Sequence, residues 1–129
     1  MYKLLSIEES VATRNLELES LDTATIDVCF DDSAVTSFKN FDFMKINEEY
    51  NCKIYLFGEL DDSGEKFQYI RDVTVGRKVL SEVINKKGDW YYVNKISASE
   101  SLSKQKMLSY KYTRKDLVQV NNIVHTDFE

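Results

Sequence analysis

The sequence predicts an all-β domain with room for a minor helix. It reads as a small OB-like or SH3-like barrel, with a β-sandwich as the alternative. Three observations predict it. Apolar residues recur with period two through most of the chain, short runs of this kind are separated by Asp, Asn, Ser and Gly clusters, and several such runs fall within one domain of this size. At 129 residues the chain suits one domain, and residues 1–129 show no linker or internal repeat. That length is enough to bury one modest core without metal or disulfides, and 43% hydrophobic residues is ordinary globular composition.

Residues 2–8 and 15–21 are short strand candidates. In Thr25–Phe30, alternation puts Ile26, Val28 and Phe30 on one face. The long stretch 31–49 has no clear period, but holds Phe38, Phe41, Phe43 and Met44; it reads as a loop folded over one end of the barrel with its aromatics as a plug. In 52–60, Cys52, Ile54, Leu56 and Leu60 share one face and Tyr55 and Phe57 the other, so this strand is covered on both sides near its centre. Phe67, Tyr69, Val73 and Val75 align in the next run. Asp61-Asp62-Ser63-Gly64-Glu65 between them is turn chemistry, which predicts a hairpin of 52–60 with 67–75.

A second hairpin is predicted around Asn85-Lys86-Lys87-Gly88, with arms 78–84 and 89–96. The spacing of Val79, Leu80, Val83 and Ile84 suits a short helix as well as a strand. Trp90 to Ile96 is a strand by β propensity, with one face expected buried and the other wet. The polar stretch 97–106 accommodates a helical turn or two. Strands are expected at 107–113 and 117–124.

Charge is divided along the chain. Residues 1–65 carry 5 Lys/Arg against 15 Asp/Glu, and residues 66–115 carry 12 against 4. Such a division concerns field and partners rather than fold. In the basic segment, Arg71, Arg77, Lys78, Lys95 and Arg114 interleave with Tyr69, Trp90, Tyr92, Tyr110 and Tyr112, and these ten are the candidate binding residues. Positive charge with aromatic faces is the composition of a single-stranded nucleic-acid groove. Strand alternation yields the same interleaving with the rings as core and the cations in solvent, and this is the stronger reading.

Several chemistries are excluded. The one histidine, His125, sits near the C-terminus beside Thr126 and Asp127 and reads as a solvated residue, so no Ser-His-Asp or Cys-His set is expected. One His and two separated Cys cannot supply a structural zinc site. The Asp31-Asp32 and Asp61-Asp62 pairs read as solvated turns, and no glycine pattern fits a phosphate loop. No metal, cofactor or catalytic residue is therefore expected. Cys29 and Cys52 read as reduced core thiols, which with the absence of an apolar leader or membrane span suggests a cytoplasmic protein.

The expected function is a non-enzymatic interaction module, an accessory or inhibitor-type protein docking a charged protein partner. The alternative is an OB-like single-stranded nucleic-acid-binding domain using strands 66–115. Self-association through opposite-charge faces also follows from the divided charge.

Overall fold

The computed structural model describes residues 1–33, 41–96 and 107–128. Its strands are β1 (Tyr2–Glu9), β2 (Arg14–Ser20), β3 (Ile26–Asp31), β4 (Glu49–Tyr50), β5 (Cys52–Val75), β6 (Lys78–Ile84), β7 (Trp90–Asn94), β8 (Met107–Val120) and β9 (Ile123–Val124). They form one mixed sheet in the order β4-β1-β2-β3-β8-β5-β6-β7, with β9 on β8. The sheet is open: among the described residues no ladder joins β4 to β7. All pairings are antiparallel except two. β3 meets β8 at one parallel pair, Phe30 with Asp116, and β5 meets β7 at one, Tyr55 with Tyr92.

The predicted hairpin of 52–60 with 67–75 is not formed. Residues 52–75 are one long strand, and β8 runs beside both of its parts. The turn chemistry at 61–64 closes on itself instead of reversing the chain. Asp61 Oδ1 accepts hydrogen bonds from the Ser63 amide (2.8 Å) and hydroxyl (2.6 Å), which hold its carboxyl below its usual range. The segment becomes a bulge, across which Tyr110 pairs with both Leu60 and Glu65. The true reversal is the two-residue loop Gly76-Arg77, where Gly76 takes φ +60°.

The Asn85–Gly88 hairpin is formed as predicted, and its first arm is a strand. Asn85 Oδ1 accepts from the amides of Lys87 and Asp89 (3.0 Å each), and Gly88 has φ +92°. The strands expected at 107–113 and 117–124 are largely one, β8, reversed at Asn121 (φ +54°) into β9. The helical turn expected in 97–106 lies outside the described residues, as does Phe38.

Two apolar clusters cover opposite faces of β5. Ile54 and Leu56 join the large one with Leu4, Leu16, Leu18, Phe67 and Val93, while Tyr55 joins the small one with Val75, Leu80, Tyr92 and Val118. The two-sided cover expected of 52–60 is thus present. A register shift between Tyr69 and Arg71 moves the apolar side of β5 from the large cluster (Phe67, Tyr69) to the small one (Val73, Val75). Strand β7 is also covered on both faces, against the expectation of one wet face. Tyr91 and Val93 face the large cluster and Tyr92 the small one, leaving Trp90 exposed. From the 31–49 stretch, Phe41 and Met44 are buried in the large cluster, whereas Phe43 stays exposed with its ring edge-on to Tyr50.

The alternation of β3 is inverted relative to its apolar pattern. Ile26 and Val28 are 51% and 56% exposed, while Asp27, Cys29 and Asp31 are 2%, 0% and 1% exposed. Ion pairing makes this tolerable. Asp31 Oδ2 accepts from Arg14 Nε (3.1 Å) and Nη2 (2.7 Å), and its other oxygen accepts from the Ser33 amide (2.8 Å). Asp31 is therefore not the solvated turn residue the sequence suggests. His125 is buried too, because β9 folds the chain end back: its amide donates to Val118 O (2.9 Å) and the Arg77 amide to Phe128 O (2.5 Å). Both cysteines are unpaired, with Cys29 buried and Cys52 half-buried. Among the described residues no helix is long and apolar enough to cross a membrane.

Candidate functional site

The β3–β8 seam separates the acidic strands β1 to β4 from the rest of the sheet. These strands come from residues 1–50, with 4 Lys/Arg against 11 Asp/Glu, whereas β5 to β9 beyond the seam carry the described part of the basic segment together with Glu59, Asp61, Asp62 and Glu65. With only one ladder pair at the seam, side chains must join the two parts. Lys115 Nζ lies 2.5 Å from Asp27 Oδ1, and the Tyr91 hydroxyl donates to Asp27 Oδ2 at 2.8 Å. The ammonium also stands 5.6 Å from the ring centroids of both Tyr91 and Tyr112, within cation–π range. Burial first, then the Asp27 charge, pushes the Tyr91 phenol up. Tyr112 donates to Glu65 Oε1 (3.0 Å), and burial followed by that bond pushes its phenol up to about 12.

A second tie lies nearby. Asp89 is buried at the β6–β7 turn and accepts from the Thr23 and Thr25 hydroxyls of the β2–β3 turn. Between the two ties opens a cleft of about 440 Å³, floored by Tyr91, Tyr112 and Lys115 and rimmed by Lys66, Lys86 and Lys87. None of these three rim lysines has an ion-pair partner among the described residues. Lys66 Nζ donates to Ser109 Oγ (2.6 Å).

A groove of about 470 Å³ shares Ile26, Tyr112 and Lys115 with this cleft and carries the exposed face of β3. Its far wall is Arg114, whose guanidinium stacks between Phe30 (4.5 Å) and Phe57 (4.8 Å). Asp116 holds that guanidinium through Nε (2.5 Å) and Nη2 (3.0 Å), which raises the pKa of Arg114 above its ordinary value. Phe57 pairs in register with Arg114 and is 51% exposed. Ile26, Val28, Phe30, Arg114 and Phe57 therefore make a stripe across three adjacent strands.

A third cavity, of about 210 Å³, lies on the other side of Arg114 and reaches His125 and Phe128. Here Asp32, His125 and Asp127 bring ligand-type atoms within 4.8 Å of one another. The ring is already engaged: Nδ1 accepts the Asp127 amide (3.1 Å), which places the neutral ring's proton on Nε2, 2.6 Å from Asp32 Oδ1. Neither His125 nor Asp32 is the free solvated residue read from the sequence.

The ten residues singled out from the sequence do not form one surface. Tyr92 and Tyr110 are buried, donating to Glu82 Oε2 (2.7 Å) and the Leu56 carbonyl (3.2 Å). Tyr69 donates to Asp72 (3.0 Å), and Arg71 pairs with Glu82 (3.0 Å). Arg77 sits in the β5–β6 loop, Lys78 lies over the Phe128 ring (4.6 Å), and Trp90 and Lys95 are exposed at the two ends of β7. Tyr112 and Arg114 alone line the seam. Asp27, Tyr91, Lys115 and the β3 stripe are not among those ten, although Tyr91 and Lys115 belong to the same basic, aromatic segment and Ile26, Val28 and Phe30 share a face by alternation. Period two gives two faces, and nothing local says which one faces the core. Comparison of the chain with protein-family models, curated proteins and solved structures finds no match.

Proposed function

We propose that the chain is a non-enzymatic interaction module, of the accessory or inhibitor type, that docks a partner protein at the β3–β8 seam. One observation carries this: β3 turns Ile26 and Val28 to solvent and buries Asp27 and Asp31 beneath them. Exposed apolar side chains grouped in a rimmed groove mark interaction surfaces. Arginine and aromatic side chains, here Arg114 with Phe30 and Phe57, are the types that anchor interfaces. The partly rolled β5–β6–β7 part of the sheet is where an OB-like or SH3-like comparison rests. Single-stranded nucleic acid is the second reading, favoured by Lys66, Lys86 and Lys87, which rim the cleft beside Tyr112. A cytoplasmic setting fits the unpaired thiols of Cys29 and Cys52.

The test is affinity capture from the source cells with the wild-type chain and with Val28→Lys, alongside anisotropy with a labelled oligothymidylate at low salt. A stoichiometric protein retained by the wild type and lost by Val28→Lys supports docking at the seam. Oligothymidylate binding that weakens steeply with salt supports the second reading instead. Neither binding sinks both.

A further inference from the structure

We infer that the seam groove accepts an extended acidic peptide strand, which adds along the free edge of β3 with alternate side chains apolar and carboxylate. This rests on reading the chain as an interaction module, and it names the partner's chemistry. Three observations converge on it.

The first is an unpaired edge. β3 is laddered to β2 over 14–19 with 26–31, but on its other side it meets β8 only at Phe30. Among the described residues, 26–29 thus present backbone donors and acceptors with no strand partner on that side, the template that strand addition uses. The second is period. Ile26, Val28 and Phe30 recur every second residue on the outer face, matching the two-residue repeat of an added strand. The third is charge. The wall opposite β3 carries Arg114 and Lys115, and Lys111 is exposed on the same strand, with no carboxylate lining the groove among the described residues. Arg114 and Lys115 already pair with Asp116 and Asp27, but Lys66, Lys86 and Lys87 of the adjoining cleft have no ion-pair partner among the described residues, so an apolar-only strand would leave these lysines unmet and a basic one would be repelled. A peptide that alternates valine and glutamate satisfies both sides.

The probe is a fluorescein-labelled octapeptide in which valine and glutamate alternate. It is compared with the block isomer of the same composition and charge, in which all the valines precede all the glutamates. Binding is read by anisotropy and its location by backbone amide exchange. The expected result is saturable binding of the alternating peptide, at least about tenfold tighter than the block isomer, with slowed exchange at 26–29. Val28→Lys and Arg114→Glu, each checked for unchanged melting, should each weaken it about tenfold or more, while Val11→Lys in the exposed β1–β2 turn leaves it intact.

Equal binding of both isomers, or binding without slowed exchange at 26–29, overturns strand addition. So does displacement of the peptide by oligothymidylate with the same exchange pattern, which assigns the groove to nucleic acid. No binding of the alternating peptide overturns the inference. If the affinity capture above still retains a partner indifferent to Val28→Lys, the interaction reading survives at another surface. If it retains none, both fail.

Discussion

Lys115 Nζ sits 2.5 Å from Asp27 Oδ1 across a seam that the backbone ladder crosses at one residue pair only. Asp27 is wholly buried while Lys115 keeps 22% of its side chain exposed, so the two members of the pair are unequal. Removing the lysine strands a carboxylate in a low-dielectric site, although Tyr91 still donates to it. Lys115→Met should therefore cost about 3 kcal/mol in urea melts, the lower end of what breaking a buried pair costs. Asp27→Asn keeps an acceptor for Tyr91 and should cost less. The double variant should recover part of the loss, giving a favourable coupling in a double-mutant cycle. Additive losses would mean that the pair does not hold the seam.

The bulge at 61–64 depends on backbone approach. A Cβ at Gly64 would collide with the Tyr110 carbonyl, and one at Gly58 with the Lys111 carbonyl. Both glycines face β8 backbone, which cannot swing aside as a side-chain tip can. Gly64→Ala and Gly58→Ala should each destabilise by roughly 1–3 kcal/mol, as overpacking does. Gly88→Ala meets no such wall, its nearest neighbour being the Thr23 methyl at 3.7 Å, but it must hold φ +92° and so loses stability through backbone strain alone. Thermal melts of the three variants test this, and an unchanged Gly64→Ala would show the bulge to be loose.

Strand positions were legible in the sequence wherever period two met turn residues, as at Asn85–Gly88 and Trp90–Asn94. Direction was not. Asp61-Asp62-Ser63-Gly64 has the composition of a reversal, and only the long-range fit of Tyr110 against both flanks makes it a bulge. His125 looks solvated because its burial depends on a two-stranded turn at Asn121, whose left-handed backbone a sequence of Asn-Asn merely permits. The charge division was visible, and so were Tyr112 and Arg114. The seam between the two charge groups is a fact of strand order, β3 beside β8, which no local pattern encodes.

The inverted face of β3 can be checked by stability alone. If the apolar side faced inward, Val28→Thr would cost as a core change does. With Val28 exposed, it should lie within about 0.5 kcal/mol of wild type, and Ile26→Thr likewise. Leu18→Ala on the neighbouring strand, fully buried, should cost about 2–5 kcal/mol. Arg14→Met, which leaves Asp31 buried without its cation, should cost about 3–5 kcal/mol. Chemical denaturation at one protein concentration separates the two sets. A large loss at Val28 would return β3 to the orientation its sequence suggests.

Alkali should unfold the protein in a defined window. Burial pushes the Tyr110 phenol from 10.0 up to about 12, and burial with the Glu65 bond does the same for Tyr112. Tyr91 and Tyr92 are raised further, by burial and by Asp27 and Glu82 respectively. A phenol whose folded value is raised stays protonated in the native state while the unfolded chain ionises, so between the two values the native state binds more protons. Stability is then full below pH 10, the unfolded value, and is lost as pH climbs toward about 12. Burial also pushes Cys52 from 9.0 up to about 12, which adds a similar loss that begins one pH unit lower. Phenolate absorbance should lag the titration of free tyrosine and then appear together with loss of β-sheet circular dichroism. Tyr91→Phe should narrow the alkaline loss while leaving Asp27 with Lys115 alone. Phenolate absorbance that follows free tyrosine without unfolding would place these rings in water.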